Sequence, residues 1–201
     1  MATLPEIFIV ESLDFDDEEA ERREGEILSR MLKLIGKTNT RYYYIRTAKE
    51  LDEIVDKFDE SGFRYLHFSC HANKDGMQTT LDFVSYEDLG KMLEPCLLGR
   101  RVFVSGCEMA TPKLAKSLLN KTGCTSLLGP ARKINFDDSA AFWLAFYHLM
   151  FKEDRDRMKH RHVEFFATEL SRLLEEPFNY YRSDDTKREG YRHIRTRFDF
   201  I

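Results

Sequence analysis

Apolar positions along the chain fall into short continuous runs separated by stretches with helical spacing. Ile7-Phe8-Ile9-Val10 is an unbroken apolar run closed by Ser12 and a group of acids, which predicts a buried strand. Residues 18–35 then carry Ile27, Met31, Leu34 and Ile35 on one helical face, and Gly36 supplies a stop. Residues 41–46, with Tyr42, Tyr43, Tyr44 and Ile45, have strand composition. A second amphipathic helix is predicted over 49–58, with Leu51, Ile54, Val55 and Phe58 inward and Ser61-Gly62 at its end.

The alternation continues. Residues 63–70 predict a strand, 73–83 a hairpin or loop, 86–93 a helix and 101–105 a strand. Thr111-Pro112 opens a helix running to about residue 120. Residues 125–128 predict a strand, 137–151 a strongly apolar helix and 162–174 a further helix. Two strands, 178–182 and 191–197, flank a polar turn. Repeated β-α units imply a mostly parallel sheet with helices on both faces. The whole span 1–201 reads as one domain, with 152–201 as a C-terminal helix-plus-hairpin extension.

Composition narrows the function classes. The net charge is −4 with mixed signs, which gives no general pull toward nucleic acid or an anionic membrane. No apolar run approaches the roughly 20 residues needed to span a bilayer, and the first 11 residues lack the basic start of an export signal. A cytoplasmic protein is expected. Cys70, Cys96, Cys107 and Cys124 form no CxxC pair and no zinc spacing with histidine, so free thiols and no bound metal are expected.

Two predicted strands end in reactive residues: Leu66-His67-Phe68-Ser69-Cys70-His71-Ala72 and Val102-Phe103-Val104-Ser105-Gly106-Cys107-Glu108. In an open parallel sheet, ligands bind beyond the carboxyl ends of the strands. The separation of 36 positions between His71 and Cys107 leaves room for a crossover, so the two could share one sheet edge. A thiolate is a strong nucleophile, and a nearby imidazole can lower its pKa or protonate a leaving amine. Backbone N–H groups of Ala72 and Cys107 are the candidate oxyanion donors.

The His71 stretch resembles the histidine motif of caspase-like peptidases, especially the CHAT-domain branch related to separase. The stretch from Val102 through Cys107 to Ala110 resembles that branch's strand-and-cysteine motif. Residues 123–128, then Asp137-Asp138 and 140–149, resemble its strand, acidic turn and aromatic helix. The three segments follow the family's order over about residues 60–150. The resemblance implies a caspase-like three-layer α/β/α sandwich with Cys107 as nucleophile and His71 as general acid/base. It implies no cofactor, a protein or peptide substrate, and a regulatory protein partner. It also suggests that Asp137 and Asp138 receive a basic side chain before the cleaved bond. The chain departs from the family where Ala72 replaces the usual glycine and where residues 131–135 replace a Trp-Pro.

Plainer readings stand beside these. Asp137 and Asp138 suit a helix N-cap. Cys70 faces opposite to His71 on a strand and reads as structural. His67 shares a face with His71 and reads as a core histidine packed under a helix. His160 and His162 read as a solvated helix surface. Gly36-Lys37-Thr38 lacks the earlier glycine of a phosphate loop. A non-catalytic interaction domain of the same fold is the competing class. A nucleic-acid binder using Arg182, Lys187, Arg188, Arg192, Arg195 and Arg197 interleaved with Tyr180, Tyr181 and Tyr191 is a weaker one.

Overall fold

The computed structural model describes residues 3–196. Five parallel strands form the centre of a single sheet: β1 (Leu4–Ser12), β2 (Arg41–Tyr44), β3 (Phe63–Ala72), β6 (Arg101–Val104) and β7 (Ser126–Pro130). Their order is β2-β1-β3-β6-β7, and β8 (Phe178–Ser183) and β9 (Tyr191–Arg195) extend it as antiparallel strands. A small hairpin of β4 (Gly76–Gln78) and β5 (Phe83–Ser85) folds back from the end of β3, pairing His71 with Gln78 and Ala72 with Met77. It accounts for the segment expected to be a hairpin or loop.

Seven α-helices and one 3-10 turn (Glu94–Cys96) complete the described chain: α1 (Phe15–Glu19), α2 (Glu24–Leu34), α3 (Ala48–Ser61), α4 (Tyr86–Leu93), α5 (Pro112–Leu119), α6 (Phe136–Glu153) and α7 (His160–Leu174). Helices α3, α4 and α5 cover one face of the sheet over Phe8, Val10, Leu66, Phe68, Val102 and Val104. Helices α2, α6 and α7 cover the other over Ile7, Ile9, Tyr65, Phe103 and Leu128. Alternate residues of each strand therefore enter opposite cores, which is why the central strands carry apolar residues on both faces. None of the described helices is long and apolar enough to cross a membrane.

Local chemistry sets the element ends. Thr47 and Glu50 form a reciprocal capping box at α3, and Gly62 ends that helix at φ 64°. Thr111 accepts from the Leu114 N–H at the start of α5, where Pro112 has no N–H to leave unpaired.

Three expectations need correction. Residues 18–35 form two helices, broken at residues 20–23 where Glu21 takes φ 55°. The buried face of α2 is Glu24, Gly25, Leu28, Ser29 and Leu32, while Ile27 and Leu34 are exposed. Gly25 explains that rotation: a Cβ there would lie 3.1 Å from Ile9 Cγ2, so the helix sits directly on β1 and carries polar Glu24 and Ser29 inward. Finally, His160 and His162 are not solvated. His160 turns toward the sheet, where Tyr180 Oη donates to its Nδ1 at 2.5 Å, and the His162 side chain is largely covered.

In the tail, Tyr180 and Tyr181 are fully buried, and Tyr181 stacks on His193 at 4.3 Å between ring centres. Those two rings are unavailable for base stacking. Arg197, the end of the expected last strand, lies outside the described residues.

Candidate active site

Strands β3 and β6 are hydrogen-bonded neighbours, with Phe68 beside Val104. Their carboxyl ends deliver His71 and Cys107 to one cleft of about 670 Å³, also lined by Arg22, Glu24, Phe136 and Asp137. The spatial relation expected from the two strand-end motifs is therefore present.

His71 is held by a carboxylate. Its Nε2 lies 2.6 Å from Asp17 Oδ2 and 3.5 Å from Asp14 Oδ2, so Nε2–H donates to Asp17. Nδ1 makes no hydrogen bond among the described residues and is the ring nitrogen left for chemistry. Asp17 is itself largely buried, and Arg22 pairs with its other oxygen at 2.8 Å. Phe136 meets the imidazole edge-on at 5.6 Å, fixing the ring plane.

Cys107 sits in the turn after β6. The Met109 N–H closes on the Gly106 carbonyl at 3.1 Å, and Glu108 adopts φ 52°. A left-handed non-glycine residue costs on the order of 1 kcal/mol and marks a turn that the surroundings dictate. Gly106 is required by close approach: a Cβ there would lie 2.7 Å from Ala72 Cβ and 3.0 Å from the Cys70 carbonyl oxygen. The Cys107 thiol donates weakly to the Ile134 carbonyl at 3.5 Å and is partly exposed. The other three cysteines are buried. Burial raises all three thiol pKa values, to about 11 for Cys96 and about 12 for Cys124, and Glu24 adds to the rise at Cys70. They stay as inert thiols.

Beneath the cleft lies a buried polar network. Ser69 and Ser139 donate to Glu24 at 2.9 Å each, and Ser105 at 3.2 Å. His67 Nε2 lies 2.9 Å from Ser105 Oγ, and its Nδ1 lies 2.8 Å from Tyr147 Oη. Because Ser105 donates onward to Glu24, His67 carries its proton on Nε2 and accepts from Tyr147. Burial lowers the His67 pKa to about 3, so the ring is neutral. Burial raises Glu24 to about 7 despite the three hydroxyls, and the nearby Glu11 carboxylate adds to the rise. Glu11 accepts from the Gly25 N–H at 2.6 Å and from Tyr42 Oη at 2.7 Å.

The expected residues fall out unevenly. His71, Cys107 and Asp137 line the cleft, as does Cys70 from its buried position. Ala72 does not line it; its methyl packs against Gly106. Asp138 also stands outside the lining and accepts from Asn135 Nδ2 at 3.3 Å. Helix α6 begins one residue earlier than expected, so Asn135 is the N-cap and both aspartates lie in the first turn.

Sequence reasoning missed Asp14, Asp17, Arg22 and Glu24. The pairing of an acid with glycine at Glu24-Gly25, inside an otherwise helical stretch, was the one available signal. Asp14, Asp17 and His71 each offer a ligand atom within 4.8 Å of one another and could hold a cation. Three donors fall short of a closed four-ligand site, and the His71–Asp17 hydrogen bond already joins two of them.

No family model matches the chain, and no curated protein matches it. Solved structures do. The X-ray structure of a secreted C11 cysteine protease from Bacteroides thetaiotaomicron, "iotapain", aligns with a TM-score of 0.59 at 11% identity, covering 90% of this chain and 67% of that one. A secreted C11 cysteine protease from the same organism, in complex with an irreversible peptide inhibitor, aligns with a TM-score of 0.57 at 8% identity, covering 88% and 66%. The chain thus spans about two thirds of the length of these proteases. At such identities the likeness is one of fold, and the fold is the caspase-like α/β/α sandwich.

Proposed function

We propose that the protein is a cysteine endopeptidase in which Cys107 is the nucleophile and His71 the general acid/base. One observation carries the reading: the partly exposed thiol and the carboxylate-bound imidazole line a single cleft at the carboxyl ends of adjacent parallel strands. The shared fold with C11 proteases supports it.

In this reading His71 Nδ1 takes the Cys107 proton, and the sulfur bonds to the carbonyl carbon of the substrate. The resulting oxyanion is met by the Cys107 N–H, with Ala72 the less favourably placed second donor. The C–N bond then breaks as Nδ1–H protonates the departing amine, and water hydrolyses the thioester. Asp17 holds the ring so that Nδ1 faces the reaction and stabilises the imidazolium formed in transit. The exposed Asp137 carboxylate in the cleft favours a basic residue before the cleaved bond. Asp138, turned to Asn135, contributes less.

The motif resemblance favours the CHAT-domain branch related to separase, with activity controlled by a regulatory partner and located in the cytoplasm. Four free thiols suit that reducing compartment. A thiol-reactive peptide probe ending in arginine tests the reading. Labelling confined to Cys107, with cleavage abolished in Cys107→Ala and His71→Ala, is expected. An unlabelled Cys107 in a folded protein would instead favour a non-catalytic interaction domain.

A further inference from the structure

A second concave site lies at the opposite ends of the same two strands. Arg64 at the start of β3, Arg101 at the start of β6, Thr125 before β7, and Arg157, Lys159 and His160 around the start of α7 line an open pocket of about 350 Å³. The residues lining it include four permanent cations and no acid.

Arg101 is the critical residue. It is 8% exposed, and no carboxylate among the described residues lies within ion-pair distance of it. Its Nη1 donates to Ser126 Oγ at 2.6 Å and lies 3.3 Å from His160 Nδ1 and 3.4 Å from Tyr180 Oη. Its Nε and Nη2 make no hydrogen bond among the described residues, yet neither atom is sealed from solvent without a partner. A guanidinium cannot shed its charge by losing a proton, so a buried one without a counter-ion is costly.

The surroundings add to the same field. Arg64 and Arg157 form no ion pair among the described residues, and Arg64 is aimed by the Thr3 and Asp156 carbonyls. Lys159 is partly compensated, its Nζ lying 3.5 Å from Asp154 Oδ2, while Asp154 Oδ1 accepts from the Asp156 and Arg157 N–H groups. Helix α7 begins at this pocket with Lys159 as N-cap and no side-chain cap, leaving first-turn N–H groups and the positive end of the helix dipole. Burial first, then Arg101 and Arg182, lowers the His160 pKa to about 3, so the ring is neutral here.

We propose that this pocket binds a phosphate dianion, free or carried as an ester on a small molecule. Several guanidiniums suit a tetrahedral dianion better than a single carboxylate, and a concavity of about 350 Å³ matches the size of a small ligand. The site is independent of the peptidase reading and stands or falls by its own test.

The test titrates the full chain with inorganic phosphate and with ribose 5-phosphate, at ionic strength held constant with sodium chloride, following heat release and Tm. Saturable binding and a rising Tm are expected for at least one of the two, and their relative affinities identify the free ion or the ester as the better source. Binding weakened about tenfold or more in Arg157→Ser/Lys159→Ser, two exposed positions whose loss spares the fold, is the expected signature. Arg101→Lys, which keeps the charge but loses the fork, is expected to weaken it as well. Absence of saturable binding, an equal Tm response to chloride alone, or unchanged affinity in the double variant would overturn the site. Tighter binding of a phosphopeptide than of either probe would overturn the small-molecule assignment.

Discussion

The carboxyl ends of β3 and β6 hold a thiol, an imidazole and several carboxylates, while the amino ends of the same strands hold guanidiniums, an ammonium and a neutral histidine. Both ends bury a charged group, but they handle it differently. Glu24 is surrounded by three hydroxyl donors and can neutralise by taking a proton near neutral pH. Arg101 has one short hydrogen bond to a serine and no means of becoming neutral. The contrast separates a self-sufficient polar network from one that lacks its counter-charge. It also shows how a parallel sheet keeps opposite fields apart: the strand interiors are mostly apolar, and the charged groups gather at the two ends.

The sharpest break of this contrast is Cys107→Ala. It is expected to lower peptide cleavage by about 10³-fold or more with Tm little changed, since only the thiol at the cleft end is nucleophilic. Fluorogenic peptides with arginine before the bond would measure it, and residual cleavage at wild-type rate would refute the role. Asp17→Asn comes next. Losing the carboxylate that accepts from His71 Nε2 is expected to reduce kcat by roughly 10–100-fold and shift the lower limb of its pH profile, with KM little affected. A purely structural role would lower Tm instead and leave the pH profile in place.

Glu24 yields a stability prediction. Its folded pKa of about 7 exceeds the ordinary carboxylate value, so its contribution is fully present below about pH 4.5 and is lost as pH rises through about 7. Urea unfolding of Glu24→Gln is expected to lose this decline, leaving the variant about 1–3 kcal/mol better placed relative to wild type at pH 8 than at pH 4.5. Parallel pH curves for the two proteins would show that Glu24 is not the titrating group. Gly106→Ala is expected to destabilise by about 1–2 kcal/mol through overlap with Ala72 and the Cys70 carbonyl. Adding Ala72→Gly should recover part of that loss, and strictly additive effects in the double-mutant cycle would show that the two side chains do not meet.

The order of strands and helices was legible because each period matches one environment: continuous apolar runs lie between two helical layers, and spaced ones cover a single face. α3 shows this, with Leu51, Ile54, Val55 and Phe58 all inward. α2 shows the limit. Its apolar residues suggested one face, but the close contact of Gly25 with β1 selected another and drew Glu24 inside. Asp17 was equally hidden, since a run of acids at 14–19 gives no reason to choose one as the partner of a histidine 54 residues away.

Residue order and periodicity therefore set the β-α alternation and the placing of His71 and Cys107 at strand ends, because backbone period and turn chemistry are local. Which side chains meet there is a different matter. The Asp17–His71 bond, the hydroxyl ring around Glu24 and the cations gathered about Arg101 join segments far apart in the chain. They exist only because the sheet order brings those segments together and removes water from between them.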